Sequence, residues 1–172
     1  MLNTPEISLR KASIDDLKLL QYWDEQPHVI AAIGEGGWGW ENELNRSVAW
    51  REFLIAELAG RPIGFIQIID PLHDDSHYWG DVEPNLRALD IWIGEADALG
   101  QGHGTKMMQQ GLQRCFIDPA VTAVLIDPQK SNVRSHRFYE RLGFEFVEER
   151  CFGRNVCRVY QLRRSVWSRK IR

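Results

Sequence analysis

Apolar and polar residues follow two different periods in the first seventy residues, and each period predicts one type of element. Alternation over Ile7–Lys11 predicts a strand, and Ser13 with Asp16 three residues later forms a capping-box pattern before apolar positions at helical spacing. Apolar, β-rich runs at 53–58 and 63–69 are separated by a short segment that contains Gly and Pro. This arrangement predicts a β-hairpin.

The rest of the chain alternates between loops, strands and helices. Segment 33–40 has four glycines in eight residues and is predicted to be a loop. Residues 70–85 are polar and interrupted by two prolines, which predicts a loop before a strand over Leu86–Ile93. The other predicted elements are a helix over 105–117, a strand over 121–126, a helix over 131–142 that stops at Gly143, and strands over 144–151 and 156–162. This order predicts a mixed α/β sheet.

The length and composition are those of one globular domain. A chain of 172 residues with 44% hydrophobic residues can bury about two-thirds of its unfolded surface. It can therefore fold without disulfides or a metal ion. Cys115, Cys151 and Cys157 are an odd number without CxxC spacing, which signals neither a disulfide framework nor a metal site. We find no signal-peptide pattern and no apolar run of membrane-spanning length. We therefore expect a single domain over residues 1–172 in the cytoplasm, without a membrane partner.

Charge is distributed unevenly between the body of the chain and its end. Residues 158–172 hold six basic and no acidic side chains, whereas residues 1–157 hold 24 acids and 15 bases, a net charge of −9. A strongly acidic body repels nucleic acid and attracts a cationic small molecule. The alternative is a solubilising acidic surface with a basic C-terminal tail at about 163–172.

A glycine-rich turn precedes the predicted helix at 105–117. Alternate glycines let successive N–H groups converge at the helix N-terminus, where the helix dipole adds partial positive charge, so the turn can bind a pyrophosphate. Lys106 and Arg137 could add charge, and the alternative use of the glycines is as hinges or close-packing sites. The spacing matches neither a Rossmann fingerprint nor a Walker A loop. The residues of this turn are Gly100, Gln101, Gly102, His103, Gly104 and Thr105.

The turn and a second motif together resemble the GNAT acetyltransferase superfamily. The positions that fit the two motifs are Gly102, Gly104, Asn132, Tyr139, Gly143 and Phe144. Leu99 stands where the first motif usually has Gln or Arg, but backbone amides rather than that side chain bind the pyrophosphate. The resemblance implies an acetyl-CoA-dependent N-acetyltransferase with a mostly antiparallel central sheet flanked by helices.

Within the superfamily the chain looks most like the aminoglycoside 6′-N-acetyltransferases over nearly its whole length. The segments that carry this similarity are Gln26-Pro27-His28, Gly60-Arg61-Pro62-Ile63-Gly64, Ala88-Leu89-Asp90, Gly104-Thr105-Lys106 and Asp127-Pro128. Each segment is short, so their joint occurrence matters. The similarity implies that the acceptor is an amino group of an aminoglycoside antibiotic and that the activity confers resistance.

The resemblance also implies which residues bind the cofactor. The acetyl-pantetheine arm is expected to lie beside Ile91, Trp92 and Ile93, whose backbone groups offer hydrogen bonds. Asn132 is expected to bind the same arm.

Two residues are predicted to act in the chemistry. Asp90 is a carboxylate in an apolar run, which is costly unless it is paired or used. We interpret it as the general base or as an amine-positioning residue, against the alternative of a solvent-facing side chain on a half-exposed strand. Tyr139 matches the superfamily tyrosine thought to protonate the coenzyme A thiolate, whereas most helical tyrosines serve packing.

The predicted acceptor site is acidic. Residues 70–97 contain eight acidic side chains and a single base, Arg87, which suits a polycation. By the resemblance, Asp75 and Asp127 contact the substrate together with Asp90, and Trp79 or Trp38 can stack against sugar rings. The alternative for Asp75 is a solvated acidic loop.

Two other functions remain open at this stage. A related GNAT enzyme could acetylate a siderophore precursor or a protein N-terminus, but a carboxylate-bearing precursor should require a basic pocket, which residues 70–97 do not show. A non-catalytic acyl-CoA sensor would keep the glycine turn and lose the chemistry. Asp90 and Tyr139 argue against the sensor.

Overall fold

The computed structural model describes residues 6–171, which form one seven-stranded sheet with helices on both faces. Residues 1–5, the start of the segment inspected for a signal peptide, and Arg172, the last base of the predicted tail, lie outside the described residues. The strands are β1 (Ile7–Lys11), β2 (Arg51–Leu58), β3 (Arg61–Ile69), β4 (Leu86–Ile93), β5 (Ala123–Ile126), β6 (Glu145–Phe152) and β7 (Asn155–Arg163). The α-helices are α1 (Leu17–Asp24), α2 (Pro27–Ile33), α3 (Trp40–Asn45), α4 (His103–Phe116), α5 (Val133–Leu142) and α6 (Arg164–Lys170).

The sheet is mostly antiparallel, as predicted. Its strand order is β1-β2-β3-β4-β5-β7-β6, and β4 with β5 is the parallel pair among these neighbours. That parallel ladder is short: residues 86–88 of β4 pair with residues 123–125 of β5, after which the pairing stops. The last five residues of β4 continue to pair with β3. A gap therefore opens between β4 and β5.

Two hydrophobic layers pack against opposite faces of the sheet. On one face, α1, α2 and α3 cover an aromatic cluster that includes Trp23, Trp40 and Trp92. On the other face, α4 and α5 cover an aliphatic cluster that includes Met107 and Met108. Because side chains alternate along a strand, β4 sends neighbouring residues into different layers. The two faces of the sheet beside the gap are therefore lined by different sets of side chains.

The predicted strands, the hairpin, both loops and the helices before and after β5 are confirmed, with boundaries shifted by a few residues. The capping box is also confirmed, since the Ser13 N–H donates to the Asp16 carboxylate over 2.9 Å. The sequence prediction omitted α2 and α3. They have seven and six residues, too few for an apolar period to stand out.

Most of the predicted basic C-terminal tail forms a helix, α6, over Arg164–Lys170. Arg164 donates to the carbonyl oxygen of Phe116, the last residue of α4, and to those of Asp118 and Val121 in the segment that follows it. A cation is favourable there because those carbonyls lack helical partners. Trp167 also stacks on Phe116, with ring centroids 4.7 Å apart. Arg164 and Trp167 therefore anchor α6 to the fold.

None of the helices within residues 6–171 has the length and apolar character that a membrane crossing requires.

Gly94, directly after β4, allows α1 to pack on the end of that strand. The Trp23 indole lies so close that a Cβ at Gly94 would overlap it, and the indole N–H donates to Glu95 over 2.8 Å. We predict that Gly94→Ala lowers the free energy of unfolding by about 3 kcal/mol, because overpacking displaces a buried ring. Urea unfolding measures the change. In the control Gly37→Ala, the new Cβ has its nearest neighbour at 3.7 Å, and an equal loss in both variants would contradict the prediction.

Candidate active site

The gap between β4 and β5 exposes main-chain hydrogen-bonding groups of β4. The N–H of Gly94 donates to the Ile63 carbonyl of β3 over 2.9 Å, and antiparallel pairs alternate in the direction of their hydrogen bonds. By that alternation Trp92 directs its N–H and C=O towards β3. Ile91 and Ile93 direct theirs towards the gap, although the Ile93 carbonyl oxygen already lies within hydrogen-bonding distance, 3.1 Å, of His28 Nε2. Of the three residues predicted to bind the pantetheine arm, these two have the main-chain orientation that binding requires.

The glycine turn adopts a conformation that favours glycine at two positions. Gly100 has φ +70° and Gly102, the N-cap of α4, has φ +79°. A Cβ at either residue would meet no atom within 4 Å, so the backbone conformation rather than space favours glycine. Helix α4 begins at His103, two residues before the predicted start. The Gln101 side chain stabilises the turn by donating a hydrogen bond from Nε2 to the Asp97 carbonyl oxygen.

The turn lies beside both β4 and α5. An ideal Cβ at Gly104 would lie 3.9 Å from Ile93 of β4 and 3.8 Å from the Phe138 ring of α5. His103 is buried and Thr105 half-buried in the first turn of α4. Helix geometry leaves the N–H groups of this first turn without helical acceptors. The N-terminal end of α4 therefore lies directly beside the gap along β4.

Asn132 and Arg137, the predicted cofactor residues of α5, occupy different positions on that helix. Asn132 is the N-cap, and its Oδ1 accepts the Ser135 N–H over 3.2 Å. This bond uses the carbonyl oxygen and leaves the Nδ2 amide as the donor that can face a ligand. Arg137 is exposed on the helix surface.

On the aromatic face, a cavity of about 410 Å³ reaches the gap. Its size is within the range of small-molecule sites. The predicted substrate and catalytic residues that line it are Trp38, Asp75, Trp79, Asp90, Asp127 and Tyr139. The structure thus brings together side chains from the loop at 70–85, from β4, from the end of β5 and from α5.

Asp90 is held by a partner that the sequence analysis missed. Gln67 lies opposite it on β3 and donates from Nε2 to Asp90 Oδ2 over 2.6 Å. Burial raises the pKa of Asp90 above its usual range, and the Gln67 hydrogen bond offsets part of that rise. A carboxylate with a raised pKa is a better proton acceptor at neutral pH than a solvated one.

Asp127 forms a pair with Asp90. Burial and then the charge of Asp90 raise the pKa of Asp127 to about 7, while a hydrogen bond from Tyr78 lowers it. The Tyr78 hydroxyl donates to Asp127 Oδ2 over 2.6 Å. Neighbouring carboxylates in one buried site resist ionising together, so the two share their protons as a unit. A cationic amine between them would relieve this repulsion.

Tyr139 is buried on α5 and lines the same cavity. Burial, followed by the charges of Asp90 and Asp127, raises the pKa of its phenol above the usual range. The phenol therefore keeps its proton at neutral pH and can donate it.

The outer residues of the cavity differ in their solvent exposure. Asp75 is exposed and forms an ion pair with Arg46. Trp79 is 4% exposed and packs edge-on against Phe152, so it forms a wall and leaves little ring surface for a sugar. Trp38 is half-buried and stacks on Trp40 with centroids 5.4 Å apart.

Two arginines reach the cavity from outside residues 70–97. Arg46 follows α3 and Arg51 begins β2, and both line the cavity. Each has an acidic partner, since Arg46 pairs with Asp75 and Arg51 with Glu43. Residues 70–97 contribute no basic side chain to the cavity, since Arg87 is not among its lining residues, but Arg46 and Arg51 contribute two from other segments. Arg46 gave no sequence signal because α3 was not predicted, and Arg51 lies just before the apolar run 53–58 that predicted the strand.

The other missed residues differ in how detectable they were. Gln67 is a polar residue within the apolar run 63–69, the same signal that singled out Asp90. Tyr78 lies in a polar loop where an aromatic residue carries no positional information.

Comparisons with known proteins identify the family of this chain. The family model described as Acetyltransferase (GNAT) domain matches residues 13–152. The aminoglycoside N(6′)-acetyltransferase type 1 of Klebsiella pneumoniae is 32% identical over 153 residues, covering 81% of this chain and 74% of that protein. The lysine N-acyltransferase MbtK of Mycobacterium tuberculosis is 26% identical over 159 residues, covering 84% of this chain and 71% of that protein.

A solved structure is similar over nearly the whole fold. The crystal structure of aminoglycoside acetyltransferase AAC(6′)-Ib in complex with coenzyme A and kanamycin has a TM-score of 0.87 and 28% sequence identity, covering 97% of this chain and 100% of that chain. The family and fold expected from the two sequence motifs are thereby confirmed. The chain belongs to the GNAT family of acetyltransferases.

Proposed function

We propose that this protein is an aminoglycoside 6′-N-acetyltransferase that transfers an acetyl group from acetyl-CoA to an amino group of the antibiotic and so confers resistance. The observation that carries the proposal is the Asp90–Asp127 pair, which faces a cavity that joins the β4–β5 gap. The similarity to aminoglycoside acetyltransferases over most of the chain supports it.

The cofactor side of the site suits coenzyme A. Acetyl-CoA, when bound, supplies the acetyl thioester. The N–H groups at Gly102, His103 and Gly104 would bind its pyrophosphate at the N-terminus of α4. The main chain of Ile91, the N–H of Ile93 and the Asn132 amide would bind the pantetheine arm. Gly100, Gln101 and Thr105 would shape the turn, and Arg137 would add positive charge.

Asp90 and Asp127 would prepare the amine. An ammonium between two carboxylates is stabilised by both, and Asp90 accepts its proton so that the neutral nitrogen can attack the thioester carbonyl. As the new C–N bond forms and the C–S bond breaks, Tyr139 would donate its proton to the departing sulfur and take up the second proton, which the nitrogen loses in becoming an amide. Asp90 would release the first proton to solvent. The products are the amide and coenzyme A.

The outer cavity would select a multiply charged acceptor. Glu43, Asp74 and Asp75 line it together with the central pair, against the two bases Arg46 and Arg51. The acids therefore exceed the bases, which favours a polycation. Asp75 would contact a second amino group of the antibiotic, and Trp79 would close the wall beside it.

Arg46 and Arg51 support a second candidate, an acyltransferase for a carboxylate-bearing amine. Such an amine would place its carboxylate near the two guanidinium groups, and the similarity to a lysine N-acyltransferase points the same way. Both arginines already have carboxylate partners. That pairing favours the aminoglycoside.

A thiol-release assay with acetyl-CoA tests the proposal. We expect turnover with kanamycin and tobramycin, and kcat/KM at least about 100-fold lower with free lysine, since each unfavourable charge contact costs a factor of about ten or more. The reverse preference would support the second candidate. Tight binding of acetyl-CoA without turnover of any amine would indicate a sensor.

We also propose a cytoplasmic location, where a reducing compartment suits three free cysteines.

A further inference from the structure

We propose that Tyr78 is a positioning residue of the acceptor site, whose hydroxyl group orients the Asp127 carboxylate towards the incoming ammonium. This inference rests on the proposed function, because it assumes that Asp127 receives the substrate amine. It concerns a residue of the 70–85 loop, outside the sheet and the helices that carry the chemistry.

The contact between the two side chains is short and direct. The Tyr78 hydroxyl donates to Asp127 Oδ2 over 2.6 Å, which is the length of a hydrogen bond to an ionised acceptor. Oδ2 is thereby engaged, and Oδ1 remains the oxygen that can face the cavity. A single strong donor of this kind limits rotation of the carboxylate about its Cβ–Cγ bond.

The ring of Tyr78 is fixed independently of its hydroxyl. It stacks face-to-face on Phe152 of β6, with centroids 4.5 Å apart and an angle of 5° between the planes. His77, just before it, has φ +52°, an uncommon conformation for a residue other than glycine. A hydroxyl on a fixed ring can impose an orientation on its partner.

The loop itself is anchored to the fold around Tyr78. Asp74 is 3% exposed and accepts both the N–H and the hydroxyl of Ser76, each over 2.9 Å. The Arg150 guanidinium donates to the Trp79 carbonyl over 3.1 Å. The loop therefore presents Tyr78 to Asp127 from a defined position.

The hydrogen bond also acts on the protonation of Asp127. A donor to the charged carboxylate lowers its pKa, opposing the effects of burial and of Asp90. At neutral pH this keeps a larger fraction of Asp127 ionised and able to attract an ammonium. The titratable groups that act on Asp127, or on which it acts, from the surrounding elements are Tyr78, Asp90, Tyr139, Arg150 and Cys157.

The substitution Tyr78→Phe removes the hydroxyl and keeps the ring on Phe152. Carboxyl ¹³C NMR titration of the unliganded protein, assigned with Asp127→Asn, is expected to show the Asp127 titration about one pH unit higher in Tyr78→Phe than in the wild type. With kanamycin, the acid limb of kcat/KM should move upward by a similar amount, and KM for acetyl-CoA should stay unchanged. Tyr22→Phe, at an exposed tyrosine of α1 outside the cavity, is the control.

An unchanged Asp127 titration and pH profile in Tyr78→Phe would overturn the inference and leave Tyr78 a packing residue. The NMR titration and the kinetics with kanamycin distinguish a failure of this inference from a failure of the proposed function. If the wild type does not turn over kanamycin, the proposed function fails. The NMR titration of the free protein still decides whether Tyr78 controls Asp127.

Discussion

Asp90→Asn is expected to lower kcat with kanamycin by about 100-fold or more, the usual contribution of a general base. The amide has the size of the carboxylate and can still accept the Gln67 hydrogen bond at its oxygen, so the strand should keep its structure. It cannot accept the proton of the amine. The pKa of Asp127 should also fall towards its usual range, because the charge of Asp90 helps to raise it.

The affinity for acetyl-CoA should be nearly unaffected in the same variant. Asp90 pairs with Gln67 in the β3–β4 ladder, and the alternation along β4 directs its main chain to β3 rather than to the gap. Steady-state kinetics give kcat, and calorimetry gives the dissociation constant of coenzyme A. Asp15→Asn, the same change at an exposed residue, should match the wild type. A kcat within about twofold of the wild type in Asp90→Asn would remove Asp90 from the mechanism.

Gly102→Val should weaken coenzyme A binding by about 10- to 100-fold. Gly102 has φ +79°, where an L-residue costs about 1–2 kcal/mol, and a β-branched side chain would turn the first residues of α4 into another conformation. The N–H groups would then no longer converge on one anion. Each hydrogen bond to a charged group is worth about 1.5–3 kcal/mol, so losing one accounts for the expected change.

Gly153→Val is the matched control for this substitution. Gly153 lies in the turn between β6 and β7, has φ +59°, and has open space around an added Cβ, as Gly102 does. Both variants should lose stability by a similar amount in a thermal denaturation experiment. The affinity for coenzyme A, measured by calorimetry, should fall in Gly102→Val alone. Equal affinity in Gly102→Val and the wild type would mean that the turn does not hold the pyrophosphate.

Local sequence determined the framework of this protein. Gly100 and Gly102 can take positive φ values because glycine has no Cβ atom. Ser13 and Asp16 form a capping box at the helical turn that lies between Ser13 and Leu17. The periodicity that marks a strand or a helix depends on residues only a few positions apart. Most elements and the two family motifs could therefore be predicted from the sequence. Elements of six or seven residues, such as α2 and α3, contain too few turns for this.

Only the tertiary structure decided which side chains meet in the proposed acceptor site. Gln67 meets Asp90 across 23 positions of sequence, and Tyr78 meets Asp127 across 49. Arg46 reaches the cavity from the end of a helix that no period predicted. The physical reason is that partnership and protonation depend on the distance and burial of groups that the strand order β3-β4-β5 brings together. Residues nearby in sequence determine to which side of an element a side chain points. The packing of the strands determines which other side chains it contacts.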